Sequence, residues 1–243
     1  CGDDFERYAR WLARNGMPTR WIKKIPGVLT AGAYITTDLD DNQITAFNPG
    51  AMAYEADIPP LNSGRENALV FIAPGNKKDM LAFAEEARSA RVPFFFDPGQ
   101  SLNIWSGEEL REAVKGALCF VSNDYELSLF LQMTGWNLDT LRKQCSVILT
   151  TRGPEGAVLD VAGDQTLIPA LPVSGVLDPT GAGDAFRAGV LKGYTLGLDW
   201  QICCQMGTVA ASFVVECYGT QEHRLDWGTF CNRYEAHYGP LIC

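Results

Sequence analysis

Asp178-Pro-Thr-Gly-Ala-Gly-Asp-Ala-Phe186 is the stretch whose reading decides this chain. A small turn, Thr180-Gly181-Ala182-Gly183, stands directly before an acid, Asp184, at the head of a long apolar helical run. Closely spaced glycines let backbone N–H groups converge, and a helix N-terminus adds about half a positive charge, so such a turn suits an anion. A carboxylate beside an anion hole can take a proton from a hydroxyl while the amides hold an incoming phosphoryl group. An isolated Gly-Ala-Gly is accounted for more simply as a strand-to-helix turn with an ordinary N-terminal charge. The surrounding chain has to separate these readings.

Upstream of that turn the pattern alternates between strand and helix. The apolar runs Ala68–Ala73, Val92–Phe96, Ala117–Ser122 and Val147–Thr150 are short and nearly continuous, as parallel strands buried on both faces are. Helical patterns fall at Lys77–Ala90, Glu108–Val114, Tyr125–Thr134 and Leu138–Lys143, and Gly156–Val161 with Gln165–Pro169 reads as a short antiparallel pair. Three helices, Gly183–Leu196, Trp200–Val215 and Trp227–His237, finish the chain. At the start, Phe5, Tyr8, Ala9 and Leu12 recur at helical spacing until Gly16 and Pro18. Val28–Thr36 and Gln43–Phe47, joined by turn-rich Thr37–Asn42, read as a β-hairpin, either a cover over a pocket or a plain pair of edge strands. The expectation is an α/β fold, a doubly wound, mainly parallel sheet with flanking helices, over a single domain of residues 1–243 with a hairpin at 28–52. Such sheets bind ligands at the C-terminal ends of their strands.

Composition narrows the function classes. A length of 243 residues suffices for one large α/β domain. The net charge of −9 argues against a nucleic-acid or anionic-membrane partner, either of which favours a basic face. The eight cysteines show no C-x-x-C spacing, and several sit in apolar segments, so they read as free thiols of a reducing compartment, the cytoplasm. His223 and His237 are isolated and read as loop or surface residues. No G-x-x-x-x-G-K-[ST] is present, which removes the Walker type of nucleotide site.

The Asp178–Phe186 string resembles the C-terminal signature of the ribokinase-like (PfkB-type) carbohydrate and nucleoside kinases. That resemblance implies a ribokinase-like fold with a small β lid, and ATP-dependent phosphorylation of a primary alcohol. It implies Asp184 as the base, with the amides of Gly181, Ala182 and Gly183 as the anion hole. Asn123-Asp-Tyr-Glu126 follows a strand; an amide and a carboxylate three apart share a helical face, and helix capping explains them as well as a metal's water shell does. In the family an Asn-x-x-Glu here organises magnesium and phosphate through water, which implies those roles for Asn123 and Glu126. Thr151-Arg-Gly-Pro-Glu-Gly156 is similar to the family's nucleotide-contacting turn and implies Thr151, Arg152, Gly153 and Gly156 at an ATP site; a plain hairpin turn is the alternative. Val214–Gln221 falls where the family closes the purine pocket and, in many members, holds a monovalent cation such as potassium. Gly219 is the candidate there, and a helix C-cap accounts for it equally. Asp97, in Phe96-Asp-Pro-Gly-Gln100, matches an acid often found near the transferred phosphoryl group, or is a turn aspartate before proline.

Thr30–Tyr34, Asp41–Met52 and Gly219–His223 look most like bacterial and archaeal adenosine or broad nucleoside kinases, which implies a nucleoside acceptor ahead of a sugar. Tyr34, Gln43, Phe47, Asn48 and Met52 are then candidates for contacts to a base or ribose, with packing inside the lid as the competing explanation. The chain departs from the family pattern at its start. Cys1-Gly-Asp-Asp-Phe5 resembles the point just after the family's first β-strand with its sugar-binding aspartate, its Gly-Gly-x-x-x-Asn segment and half of its lid, and none of these has a counterpart in the chain. The expectation is an intact ATP half, an incomplete acceptor half and exposed sheet edges that favour a homodimer. A non-catalytic nucleotide-binding protein is the alternative this departure leaves open.

Overall fold

A computed structural model describes residues 1–37, 43–57, 61 and 68–241, without the side chains of Thr37 and Gln43. The chain divides into two compact units, Cys1–Pro93 and Phe94–Cys243.

The first unit opens with a 3-10 turn, Asp3–Phe5, running into helix α1 (Glu6–Arg14). The acids of that turn hold the segment leading to the hairpin. Asp4 Oδ1 accepts hydrogen bonds from the Thr30 backbone N–H at 2.8 Å and its hydroxyl at 2.7 Å, while Asp3 Oδ2 accepts from Gly27 N–H at 2.8 Å. Those bonds, the Thr30 hydroxyl foremost, hold the Asp4 carboxyl below its ordinary range. Strands β1 (Gly32–Thr37) and β2 (Gln43–Asn48) pair antiparallel with Gly32 opposite Asn48 and Thr37 opposite Gln43. The hairpin read from the sequence is therefore present, and most of its turn, 38–42, lies outside the described residues. Strand β3 (Val70–Ile72) leads to α2 (Lys77–Ala90), whose boundaries match the predicted helix because both ends are capped. The Asn76 side chain accepts from Lys78 and Asp79 N–H, and Arg91 ends the helix in the left-handed conformation. A cavity of about 560 Å³ within this unit is lined by Trp21, Ile22, Met52, Phe71, Met80 and Phe83, among other residues.

The second unit carries strands β4 (Phe94–Phe96), β5 (Cys119–Asn123), β6 (Val147–Thr151), β7 (Ala157–Val161) and β8 (Asp164–Ile168), hydrogen-bonded in that order. β4, β5 and β6 are parallel, with Phe95 opposite Cys119 and Cys119 opposite Val147, and β7 and β8 continue antiparallel. The unbroken apolar runs are explained by burial: all three residues of β4 and the first four of β5 and β6 are buried. The intervening helices are α3 (Gly107–Val114), α4 (Asp124–Thr134) and α5 (Leu138–Arg142). Ser106 and Glu109 close a capping box on α3.

Three helices end the chain: α6 (Ala182–Thr195), α7 (Trp200–Val215) and α8 (Trp227–Tyr238). α6 and α7 approach almost backbone to backbone. A Cβ on Gly189 would lie 2.5 Å from the Met206 carbonyl oxygen and 2.7 Å from the Gly207 Cα, so the crossing requires glycine there. That contact holds α6 at its middle, about two turns beyond the N-terminal end where the motif lies. Arg233 of α8 stacks 3.6 Å over the Phe213 ring and pairs with Glu216 at 2.9 Å, tying α8 to the end of α7. The seven described cysteines are free thiols, four of them buried. Among the described residues no helix is long and apolar enough to cross a membrane.

Candidate active site

The polar residues singled out from the second unit's sequence stand where strands end and helices begin. At the head of α6 the chain makes a tight turn. Ala182 N–H donates to the Pro179 carbonyl at 3.1 Å, and Gly181 has φ 90° and ψ −5°, the conformation a type II turn demands at its third residue. Only glycine adopts that conformation without strain. The turn bond also changes the expected anion hole: Ala182 already donates its amide, and the N–H groups of Gly181 and Gly183 have no hydrogen-bond acceptor among the described residues. Asp184 follows in the first helical turn with its side chain 84% exposed. An acid there is favoured by the helix dipole.

The motif's first acid acts as a tie. Asp178 accepts from Thr180 N–H at 2.9 Å and from Gly219 N–H at 3.0 Å. The Thr180 hydroxyl foremost, and then those two bonds, hold its carboxyl below the ordinary range. They also bring the 217–221 loop onto the α6 turn, where a Cβ on Gly181 would sit 3.4 Å from Thr220. Gly219 is not the cap of α7, as the sequence alone allowed. That place falls to Glu216, and Gly219, at φ 85°, lies three residues beyond it in the loop.

At the end of β5, Asn123 and Glu126 form a reciprocal capping box. Asn123 Oδ1 accepts from Glu126 N–H at 2.7 Å, and Glu126 Oε2 accepts from Asn123 N–H at 2.8 Å. The capping explanation is thus realised, and it leaves Glu126 Oε1 as the carboxylate oxygen outside the box. Thr151 ends β6 opposite Asn123, its hydroxyl 3.5 Å from the Ser122 carbonyl. In the turn that follows, Arg152 pairs with Glu155 at 2.8 Å, and its N–H donates to the Gly156 carbonyl at 2.8 Å. Gly153 and Gly156 both hold positive φ.

Asp97 is the largest departure from expectation. It is fully buried at the end of β4, just before Pro98. Neither of its oxygens has a well-formed hydrogen bond among the described residues, and its counter-charge is the Nε of Arg187. Burial pushes the Asp97 carboxyl up to about 7; Arg187 opposes that shift, while Glu126 and Asp184 reinforce it. Arg187 also donates from Nη1 to Asp184 Oδ1 at 2.9 Å. Sequence reasoning overlooked Arg187, although its spacing of three from Asp184 puts both on one helical face.

In the first unit the candidate acceptor residues do not share one surface. Tyr34 lies opposite Ala46 and Gly32 opposite Asn48, so Tyr34 and Asn48 project from one face of the hairpin. Ala33 lies opposite Phe47 and Thr37 opposite Gln43, which puts Phe47 and Gln43 at positions on the other. Tyr34 and Phe47 are both exposed, Asn48 Oδ1 accepts from Gly50 N–H at 3.1 Å, and the Gln43 side chain lies outside the described part.

Comparison with known proteins supports one family. The sequence model of the pfkB family carbohydrate kinases matches residues 1–227. The nucleoside kinase of Methanocaldococcus jannaschii is 34% identical over 208 residues, covering 86% of this chain and 68% of its own length. Among solved structures, a Burkholderia thailandensis nucleoside kinase in complex with inosine superposes with a TM-score of 0.93 at 33% identity, covering 98% of this chain and 78% of that one. The same kinase in complex with ADP-inosine gives a TM-score of 0.91 at 33% identity, covering 98% and 75%.

Proposed function

The chain belongs to the pfkB family of carbohydrate kinases, phosphotransferases with an alcohol acceptor, and from that premise we propose that it transfers the γ-phosphoryl group of ATP to a primary hydroxyl of a nucleoside. The observation that carries the reaction is the head of α6. An exposed carboxylate, Asp184, follows a turn whose Gly181 and Gly183 amides have no hydrogen-bond acceptor among the described residues. Asp184 takes the hydroxyl proton as the oxygen attacks phosphorus, and the two amides with the helix dipole hold the charge developing on the transferred group. Phosphoryl transfer passes through a loose transition state, so placing the groups contributes more than a strong base would.

ATP lies against the turn at Thr151, Arg152, Gly153 and Gly156 and against the loop carrying Gly219. Asp178 couples that loop to the α6 turn, which supports assigning both to one nucleotide site. The residues fit a magnesium ion reached through water: Glu126 Oε1 stays outside the capping box, while the single Oδ1 of Asn123 keeps one lone pair beside its bond from Glu126 N–H. Bound with the nucleotide, magnesium neutralises phosphate charge. The 217–221 loop is the proposed seat of a monovalent cation, which turnover in potassium against tetramethylammonium chloride tests.

The nucleoside acceptor rests on the inosine complex of the 33% identical Burkholderia thailandensis kinase and on the nucleoside kinase from Methanocaldococcus jannaschii. A coupled ADP-release assay over inosine, adenosine, cytidine, ribose and fructose tests it. The expected result is turnover with one or more nucleosides at a kcat/KM at least roughly tenfold above either sugar. Preference for ribose or fructose overturns the nucleoside assignment. Asp184→Asn is expected to lower kcat by roughly 10²–10⁴-fold with ATP affinity retained, and near-normal turnover removes Asp184 as the base.

A further inference from the structure

Asp184 is a short, exposed side chain, and nothing in the helix dipole selects one rotamer for it. Arg187 does. It stands three residues on, on the same face, and its Nη1 donates to Asp184 Oδ1 at 2.9 Å. The guanidinium folds back along the helix to do so. A Cβ on Gly183 would lie 3.4 Å from Arg187 Nη1, in van der Waals contact, so the guanidinium runs close along the helix backbone there. With Oδ1 engaged, Oδ2 is the oxygen presented to an incoming hydroxyl.

What holds the arginine is Asp97. That carboxylate is fully buried at the end of β4, and its oxygens have no well-formed hydrogen bond among the described residues. A buried carboxylate is costly unless paired, so Asp97 retains the Arg187 Nε that faces its Oδ2. The Arg187 side chain is 20% exposed, between a buried acid on a central strand and an exposed acid on the helix. Asp97 is enclosed at the end of a buried strand and Asp184 is exposed, so orientation passes from the strand to the helix through the guanidinium. A planar guanidinium sets its donors on separate nitrogens in a fixed fork, so Nε and Nη1 each face a different carboxylate.

We propose that Arg187, anchored on buried Asp97, is the positioning residue of this kinase, holding the Asp184 carboxylate in the orientation that accepts the substrate proton. The proposal rests on the reading of Asp184 as the base. It predicts that Arg187 matters only while Asp184 is there to be positioned. Two other roles are open to a cation at this place, a direct phosphate ligand or a purely structural ion pair, and they predict different kinetics.

The test is a double-mutant cycle in the ADP-release assay, with the full chain, ATP and the best acceptor. Arg187→Met is expected to lower kcat roughly 30–300-fold while KM for ATP and for acceptor stay within about threefold. Arg187→Lys is expected to recover part of that loss, since one ammonium can hold one carboxylate. In the Asp184→Asn background, Arg187→Met should cost less than about threefold more, because the orientation it supplies no longer has a base to act on. Full additivity of the two losses, or a rise of more than about tenfold in KM for ATP, overturns the proposal in favour of an independent phosphate contact. If Arg187→Met leaves Asp97 uncompensated and the protein folds poorly, Asp97→Asn with Arg187→Met removes both charges and is expected to show the same kcat loss. Normal kcat in that soluble double variant also overturns it. A nearly active Asp184→Asn protein would instead remove the base itself, a result separable from an inactive Asp184→Asn beside a normal Arg187→Met.

Discussion

Replacing Asp97 by asparagine should change how the stability of this protein depends on pH. Burial raises the Asp97 carboxyl from 3.8 to about 7 in the folded chain, against the opposing charge of Arg187. An acid whose folded value is raised binds its proton more tightly when folded, so its favourable contribution is full below the unfolded value and is lost as pH rises through the folded one. The window is therefore pH 4 to 7, with stability falling as pH increases. At pH 5 the group lies about two units below its folded value, and at about 1.36 kcal/mol per unit it contributes about 2.5 kcal/mol that is absent at pH 8. Asparagine has nearly the same shape and no proton to exchange. The free energy by which wild type exceeds Asp97→Asn should consequently be larger at pH 5 than at pH 8 by about 2.5 kcal/mol. With a urea slope of about 2–3 kcal/mol/M, the gap between their unfolding midpoints should change by roughly 1 M over that range. Circular dichroism and tryptophan fluorescence, followed together in urea at both pH values, read this directly. Parallel pH dependence of the two proteins would show that Asp97 keeps the same protonation folded and unfolded, and burial would not be what sets its charge.

Three further outcomes are expected. Gly181→Ala puts a side chain at φ 90° with its Cβ 3.4 Å from Thr220, which should cost roughly 1–2 kcal/mol in chemical unfolding and more than tenfold in kcat; an unchanged kcat would remove the turn from the anion site. Glu126→Gln retains an acceptor for Asn123 N–H but loses the charge, so Tm should shift by less than about 2 °C while the magnesium concentration for half-maximal rate rises at least about threefold; an unchanged magnesium requirement would leave the capping box as the residue's whole role. Because Tyr34 and Phe47 occupy opposite faces of the hairpin, Tyr34→Ala and Phe47→Ala should differ, one raising KM for the acceptor by more than about fivefold and the other by less than about twofold; equal effects would contradict contact through a single face.

The parts of the fold legible in the sequence were those in which one local cause dominates. β4, β5 and β6 read correctly because parallel strands covered on both faces become unbroken apolar runs, and α2 read to its ends because Asn76 and Arg91 cap it locally. The predicted strands Ala68–Ala73 and Val92–Phe96 shrink to Val70–Ile72 and Phe94–Phe96, since an apolar run does not say where backbone pairing stops. The placement of Asp184 and the glycine turn at a helix start was legible because the turn residues and the helical run adjoin within a few residues. The competition for Ala182's amide was not, because it depends on Thr180 and Gly181 adopting a type II turn. Asn123 and Glu126 showed their spacing but not their use, since the same spacing serves a capping box and a ligand pair. The hairpin faces could not be assigned before the register across residues 37–43 was known, because a shift of one residue exchanges them. Arg187 was hidden for a stronger reason. Its spacing to Asp184 is local and ordinary, and it acquires meaning only when β4 brings Asp97, ninety residues earlier in the chain, beneath the head of α6. A sequence can display an acid and a glycine turn in one motif, but the partner of that acid's neighbour is fixed by packing between a strand and a helix.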